Sequence, residues 1–190
     1  MENAVGSLTE EQKSIIIGTL LGDGTLRKKT NTLLEINHSY KQKEYVLWMY
    51  EKFQGITKTP PKLRVSGKNR MSCRFTTVSL SEFNYYHKLF YTNRIVKSVP
   101  RNLKLDRLSL AVWFMDDGSK SRSSVYFNTQ QFNLNDQKTL MKLLNEFGLE
   151  TSLNKDKKYY RIRIRTSSLN LFKELVAPYM LRSMIYKLPL

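Results

Sequence analysis

The chain has a single cysteine, Cys73, and two histidines, His38 and His87. One thiol closes no intrachain disulfide, and so few soft ligands cannot assemble a thiolate zinc site. Any metal held here must be hard and oxygen-bound. No apolar run approaches the roughly 20 residues needed to span a bilayer, and no basic amphipathic tail is present, so a membrane is not an expected partner. The opening stretch MENAVGSLTEEQ lacks a charged region followed by an apolar one, which argues against secretion. The expected setting is intracellular: cytoplasm, nucleoid or organelle matrix. Acid is scarce relative to base, with 16 Asp and Glu against 32 Lys and Arg, a formal charge of +16 and a pI near 9.9. A field of that sign is most commonly answered by the phosphate backbone of nucleic acid.

What is present is a core and a repeat. Hydrophobic residues make up 41% of 190, enough for one domain of ordinary size or two small lobes sharing a core. IIIGTLLGDG (15–24) and LSLAVWFMDDG (108–118) are apolar stretches of helical length that both end in Asp-Gly, and their acids, Asp23 and Asp117, lie 94 residues apart. Downstream, FQG (53–55) is answered by FG (147–148), TVSLSEF (77–83) by TSSLNLF (166–172), and KSVP (97–100) by KLP (187–189). Lys97 follows Asp23 by 74 residues and Lys187 follows Asp117 by 70. Matched order at near-constant spacing marks an internal duplication.

Each half reads as αββαββα. Thr9 with Gln12 three residues on resembles a capping box, and Gly24 is placed to stop the first helix as a left-handed C′ residue. Strands are expected near 25–29 and 32–38, and near 119–130 in the second half. A helix follows at about 42–54 and 135–147, with Tyr45, Trp48, Met49 and Phe53 at spacings of three and four. A second hairpin turns at Gly67-Lys68-Asn69 and at Lys155-Asp156-Lys157, and a closing helix begins after Ser79 or Ser168, interrupted in the second copy by Pro178. The expected division is a first lobe over 1–91, a basic joint over 92–107 carrying Pro100, and a second lobe over 108–190.

The strands alternate. Arg161, Arg163 and Arg165 share one face, opposite Ile162 and Ile164. Arg70, Ser72, Arg74 and Thr76 lie opposite Met71, Cys73 and Phe75, while Lys62 and Arg64 lie opposite Leu63 and Val65. Tyr126, Asn128 and Gln130 oppose Val125 and Phe127. The first hairpin adds Arg27, Lys29, Asn37 and Ser39. For any single strand a merely solvated face is an equal reading. A solvated face, however, mixes Glu with Lys, and these faces are almost free of acid, Glu35 being the main exception. Arg, Asn and Gln also pair bidentately with guanine and adenine edges in the major groove, which admits a two-stranded ribbon.

Asp23 and Asp117 are read in the last turns of their helices, where the macrodipole disfavours a carboxylate and calls for a cation. Gly18, Gly22 and Ala111 allow the two backbones to approach. A pseudo-twofold axis along these helices would then bring both carboxylates to one end, a site for a divalent ion. Mg²⁺ suits a few carboxylates completed by water and phosphate oxygens, and such ions stabilise the attacking and leaving oxygens of phosphodiester cleavage. Lys97 and Lys187 would offset charge on the pentacovalent phosphate or polarise the water. Met singly, an Asp-Gly pair after a helix is an ordinary turn and a lysine is a solvated one; the duplication promotes them. Asp116 has no acidic mate, since Gly22 stands at its place, so only its backbone carbonyl is expected at a metal. His38 and His87 lack a partner pattern and read as packing or surface residues, which disfavours a histidine–metal nuclease.

IIIGTLLGDG and LAVWFMDDG resemble the two copies of the motif that defines the LAGLIDADG homing endonucleases, its last acid falling on Asp23 and Asp117. Together with YFNTQQF, KSVPRNL and MIYKLP they resemble the monomeric two-motif branch often encoded within introns, over nearly the whole chain. The resemblance implies an α+β fold of two pseudo-symmetric αββαββα lobes, each with a saddle-shaped antiparallel sheet, packed through the motif helices. It implies a monomer making a double-strand break in a long, asymmetric DNA target, across the minor groove and with 3′ overhangs. Mg²⁺ would be the cofactor, Mn²⁺ a substitute, and Ca²⁺ would support binding without cleavage. Asp23 and Asp117 would be metal ligands, Lys97 and Lys187 the basic pair, and the carbonyls of Gly22 and Asp116 would complete the metal shell. Thr19, Leu21, Val112 and Trp113 depart from the usual motif, which bears on how the helices pack. Two other functions compete: a maturase that binds intron RNA to assist splicing, and a DNA-binding regulator that borrowed the fold. A pure maturase needs neither both carboxylates nor both lysines, and a regulator typically loses one acid; this chain has lost neither.

Overall fold

The computed structural model describes residues 8–28, 30–67, 70–93 and 96–189. Two helices, α1 (Glu10–Leu21) and α4 (Arg107–Asp117), pack against each other along the middle of the molecule. Both are apolar on almost every side: Ile15, Ile16, Leu20 and Leu21 of α1 and the whole run Leu110–Met115 of α4 are fully buried. A helix with no polar face must be covered all round. Close approach is set by Gly18, where an added Cβ would lie 2.5 Å from the Ser109 carbonyl and 2.7 Å from Val112 Cβ. The departure at Val112 is thus accommodated by a glycine on the facing helix. Trp113 finds its place by stacking on Phe127 with ring centroids 3.9 Å apart.

Both helices start with capping boxes. Thr9 accepts from the backbone N–H of Gln12, whose side chain accepts from Thr9 N–H, as expected. Asp106 does the same for Ser109. Ser14 of α1 also donates to Asp106, which joins the two N-terminal ends.

Each half then builds the same sheet. In the first, β1 (Thr25–Lys28), β2 (Thr32–Ser39), β3 (Lys62–Ser66) and β4 (Arg70–Thr76) run antiparallel in the order β1-β2-β4-β3. In the second, β7 (Gly118–Lys120), β8 (Val125–Phe127), β9 (Thr151–Asp156) and β10 (Tyr159–Ile164) take the congruent order β7-β8-β10-β9. Helices α2 (Lys43–Lys52) and α5 (Leu134–Glu146) connect the hairpins, and α3 (Ser81–Phe90) and α6 (Leu169–Val176) follow them. Between the halves lie a short ribbon, β5 (Tyr91–Thr92) with β6 (Val96–Lys97), and an extended segment to α4. After α6, a 3-10 turn at Ala177–Tyr179 contains Pro178, and a second one, Arg182–Lys187, brings the chain back to the centre. The architecture is α+β, with two lobes of like topology. No helix among the described residues is long and apolar enough to cross a membrane.

Several expectations are corrected in detail. Helix α1 ends at Leu21, so Asp23 lies just beyond it in a turn, whereas Asp117 closes α4. Gly24 is not left-handed; among the described glycines only Gly148 is, at φ +79°. Gly22 caps α1 at φ −105°, and what demands glycine there is space, because a Cβ would collide with the Asp116 side chain. β8 stops at Phe127, so Asn128 and Gln130 lie past the strand. The turn after β9 falls at Lys157, which is left-handed at φ 56°. The hairpin β3–β4 projects beyond the core and leaves Leu63, Val65 and Met71 exposed on the face expected to be covered. Lys29, Lys68 and Asn69 lie outside the described residues.

Candidate active site and nucleic-acid interface

Since α1 and α4 run side by side and each feeds directly into the first strand of a sheet, their C-terminal ends converge. The carbonyls there are the unpaired groups at the negative end of each helix. Each end receives one lysine. Lys97 of β6 donates to the Gly22 carbonyl at 2.7 Å. Lys187, the last residue of the final 3-10 turn, donates to the carbonyls of Met115 and Asp116, the latter at 2.8 Å. Burial lowers both ammonium groups from their ordinary range, while the three aspartates Asp23, Asp116 and Asp117 act in the opposite sense. The two carbonyls expected at a metal therefore each hold a lysine, and a carbonyl oxygen keeps a second lone pair for another partner.

The carboxylates are close enough to feel each other. Burial, then the charges of Asp23 and Asp116, push the Asp117 carboxyl up to about 7, against the pull of Lys97 and Lys187. Gln131 bridges the two helix ends, its amide nitrogen 3.3 Å from the Leu21 carbonyl and 3.2 Å from Asp117 Oδ2. Asp23 is half-exposed, its side chain 51% accessible. Asn128 donates through its backbone N–H and its side-chain amide to the Asp117 carbonyl, at 3.0 and 2.7 Å.

Asp116 is more than a backbone carbonyl. Its side chain is buried and collects donors: Thr19 Oγ1 at 2.8 Å, Tyr45 Oη at 2.7 Å and the Asp23 backbone N–H at 3.1 Å. Gly22 leaves the room it fills. Burial raises its carboxyl above the usual range, opposed by His38 and these hydrogen bonds, and the Tyr45 phenol is likewise raised by burial and by Asp116. His38, expected as a packing residue, lies between Asp116 and Asp23, its ring nitrogens 3.6 and 3.5 Å from their carboxylates.

As a cradle for a metal the donor set is all oxygen. No cluster of three or more His, Cys, Asp or Glu suited to a metal occurs among the described residues. Two carboxylates, two carbonyls with spare lone pairs and an open side toward solvent fit a hard ion that keeps water and phosphate oxygens in its shell.

The sheet faces away from the core carry the cations. In register, Lys62 is opposite Arg74, Arg64 opposite Ser72, and Asn37 opposite Arg74. Glu35 holds two of them: Arg27 at 2.9 Å, and Arg74 in a tighter pair. Glu35 is thus a clamp that orders the arginines of that face. In the second sheet Arg161 lies 4.1 Å above the Tyr126 ring and Arg163 donates to Ser124 at 3.0 Å. Arg165 is exposed just past β10, and Gln130 is bonded to Asp156 at 2.8 Å. Asn37, Ser39 and Arg70 are exposed on the first sheet.

Two lobes of one topology joined through a central helix pair, with an acid and a lysine at each helix end, define a duplicated α+β protein with a paired acidic centre. Residues 13–172 match the LAGLIDADG DNA endonuclease family, and the chain belongs to that family. It is 30% identical to the probable intron-encoded endonuclease 1 of Wickerhamomyces canadensis, over 96% of this chain and 85% of that protein. It is 29% identical to the cytochrome b mRNA maturase bI2 of Saccharomyces cerevisiae over 99% of its own length, and spans about half (49%) of the maturase. Among solved structures, that of the homing endonuclease I-WcaI bound to its DNA recognition sequence superposes with a TM-score of 0.88 at 28% identity, covering 96% of this chain and 88% of the other.

Proposed function

We propose that this protein is a site-specific homing endonuclease, a monomer that makes a double-strand break in a long, asymmetric DNA target by divalent-metal-dependent hydrolysis. The observation that carries the reading is the convergence, at the ends of two packed helices, of Asp23 and Asp117 with two lysines that bond the helix-end carbonyls, Lys97 that of Gly22 and Lys187 that of Asp116. Kinship with the endonucleases of the family supports it.

Asp23 and Asp117 would hold Mg²⁺, or Mn²⁺ in its place, and the Gly22 and Asp116 carbonyls would complete the shell. The ion, when bound, supplies a Lewis acid that activates water and stabilises the leaving oxygen. Lys97 and Lys187 place positive charge beside the phosphate, where burial strengthens their effect on the developing charge. The cationic sheet faces grip the duplex on both sides of the cut: Arg27, Asn37, Ser39, Lys62, Arg64, Arg70 and Arg74 on one side, with Lys29 beside them in sequence; Arg161, Arg163 and Arg165 on the other, with Asn128 and Gln130 at the strand end. Cleavage across the minor groove leaves 3′ overhangs.

Selection from randomised duplexes in Ca²⁺ should yield one long bound site, and Mg²⁺ should then cut both of its strands. A bound site that stays intact in Mg²⁺ and in Mn²⁺ would refute the reading.

Kinship with the yeast maturase over nearly the whole chain favours a second activity, intron RNA binding in aid of splicing. It predicts that structured intron RNA competes at matched salt far better than unrelated RNA of equal length.

A further inference from the structure

His38 is the residue whose surroundings exceed what the cleavage chemistry has used. It lies on β2, 4% exposed, and its Nε2 has no hydrogen-bond partner among the described residues. A buried polar nitrogen without a partner is uncommon and calls for an explanation. The ring is set edge-on to Tyr45, with centroids 5.2 Å apart and planes at 60°. It stands 3.6 Å from Asp116 Oδ1 on one side and 3.5 Å from Asp23 Oδ2 on the other. Asp116 is itself fixed, by Tyr45, by Thr19 and by the Asp23 backbone N–H. The Asp23 backbone and the Asp23 carboxylate are therefore both referred to the same buried acid, the second through the imidazole.

Among the described residues the other half has no such device. Two residues beyond Ile36 in β2 stands His38; two beyond Phe127 in β8 stands Thr129, and it donates to Gln137 Oε1 at 3.0 Å instead of facing Asp117. Gly22 occupies the place of Asp116. The Asp117 carboxylate is met by Gln131, an exposed residue, at 3.2 Å.

Resting on the endonuclease reading, we infer that His38 is a positioning residue for Asp23, so that the two cleavage centres are unequal and removing His38 impairs one strand's cut more than the other's. An imidazole wedged between a fixed carboxylate and a half-exposed one limits the rotation of the latter. Outer partners of this kind typically change metal affinity or rate about 10–100-fold when removed. His38 is buried, whereas its strand neighbours Asn37 and Ser39 on the opposite face are exposed, so recognition by that face should be untouched.

The test uses the full protein and a duplex selected in Ca²⁺, with each strand end-labelled separately, under single-turnover conditions in Mg²⁺. His38→Ala should slow one strand about tenfold or more relative to the other and make nicked circles accumulate from a plasmid target. Gln131→Ala should tilt the ratio the opposite way. His38→Gln, which restores a polar side chain, should recover part of the lost ratio, and it serves if the alanine variant is too unstable to assay. Calorimetric titration of Ca²⁺ into the protein–DNA complex should show a weakened half-saturation for His38→Ala at unchanged DNA affinity. Equal slowing of both strands, or an unchanged ratio in both His38 variants, would overturn the positioning role. A wild-type protein that cuts neither strand would instead overturn the endonuclease reading on which it rests.

Discussion

Replacing Asp117 by Asn should stabilise the metal-free protein at neutral and alkaline pH. In the folded state the Asp117 carboxyl is pushed up to about 7, first by burial and then by Asp23 and Asp116; in the unfolded chain it returns to the ordinary value near 3.9. Between about pH 4 and pH 7 the folded state therefore binds the extra proton, and stability falls as pH rises through that window. Three units at about 1.4 kcal/mol each set a ceiling of about 4 kcal/mol. Coupling to the neighbouring acids and solvent at the open side reduce the realised gap to on the order of 2 kcal/mol. The amide carries no charge, so the Asp117→Asn variant escapes this loss; titrating groups remote from Asp117 cancel in the comparison, while Lys97 and Lys187 lose one opposing charge, which narrows the gap. Urea unfolding of both proteins in chelator, from about pH 4.5 to about pH 8.5, should show curves that nearly meet at the acid end and diverge at the alkaline end. A variant that is no more stable at the alkaline end, or a gap that does not widen with pH, would refute the crowding of acids at the helix ends.

Three further outcomes follow from named contacts. Gly22→Ala drives a Cβ into the Asp116 side chain, and overpacking of this kind costs about 1–3 kcal/mol; calorimetry should show a melting temperature lower by roughly 3–10 °C. Tyr45→Phe deprives buried Asp116 of its 2.7 Å donor, which should cost about 1–3 kcal/mol in chemical unfolding. Arg163→Ala should weaken binding in Ca²⁺ and reduce the slope of log affinity against log salt by about one, measured by fluorescence anisotropy.

The duplicated order of elements was legible because each copy carries its own punctuation. Asp-Gly closes the apolar helix, Phe ends the second, and Thr-Ser-Leu-Phe opens the third. Period two on β10 placed Ile162 and Ile164 in the core and the arginines outside, and the structure agrees. The same rule overreached on β3 and β4, since alternation says nothing of how far a hairpin extends past the core that covers it. After Phe127 the strand itself stops, but the alternation of burial runs on through Gln130, and the backbone N–H of Asn128 bonds the Asp117 carbonyl at the end of α4. Asp116 was the largest omission. Lacking an acidic mate, it was expected to act only through its backbone carbonyl, yet the mate's absence is what makes room for its side chain: glycine at position 22 is the space its carboxylate fills. That signal was present in the pair Gly22 and Asp116 but becomes readable only once α1 and α4 are known to touch. His38 and Gln131 were hidden for a related reason, as each acts across the seam between elements distant in sequence.

The pairing of one acid from each half is tested most directly by strand cleavage in Mg²⁺ with Asp23→Asn and Asp117→Asn, each variant's affinity for the same duplex being measured in Ca²⁺. Neither variant should produce a double-strand break, and both should bind the duplex at close to wild-type strength. Breakage of both strands by both variants at near wild-type rates would contradict the account.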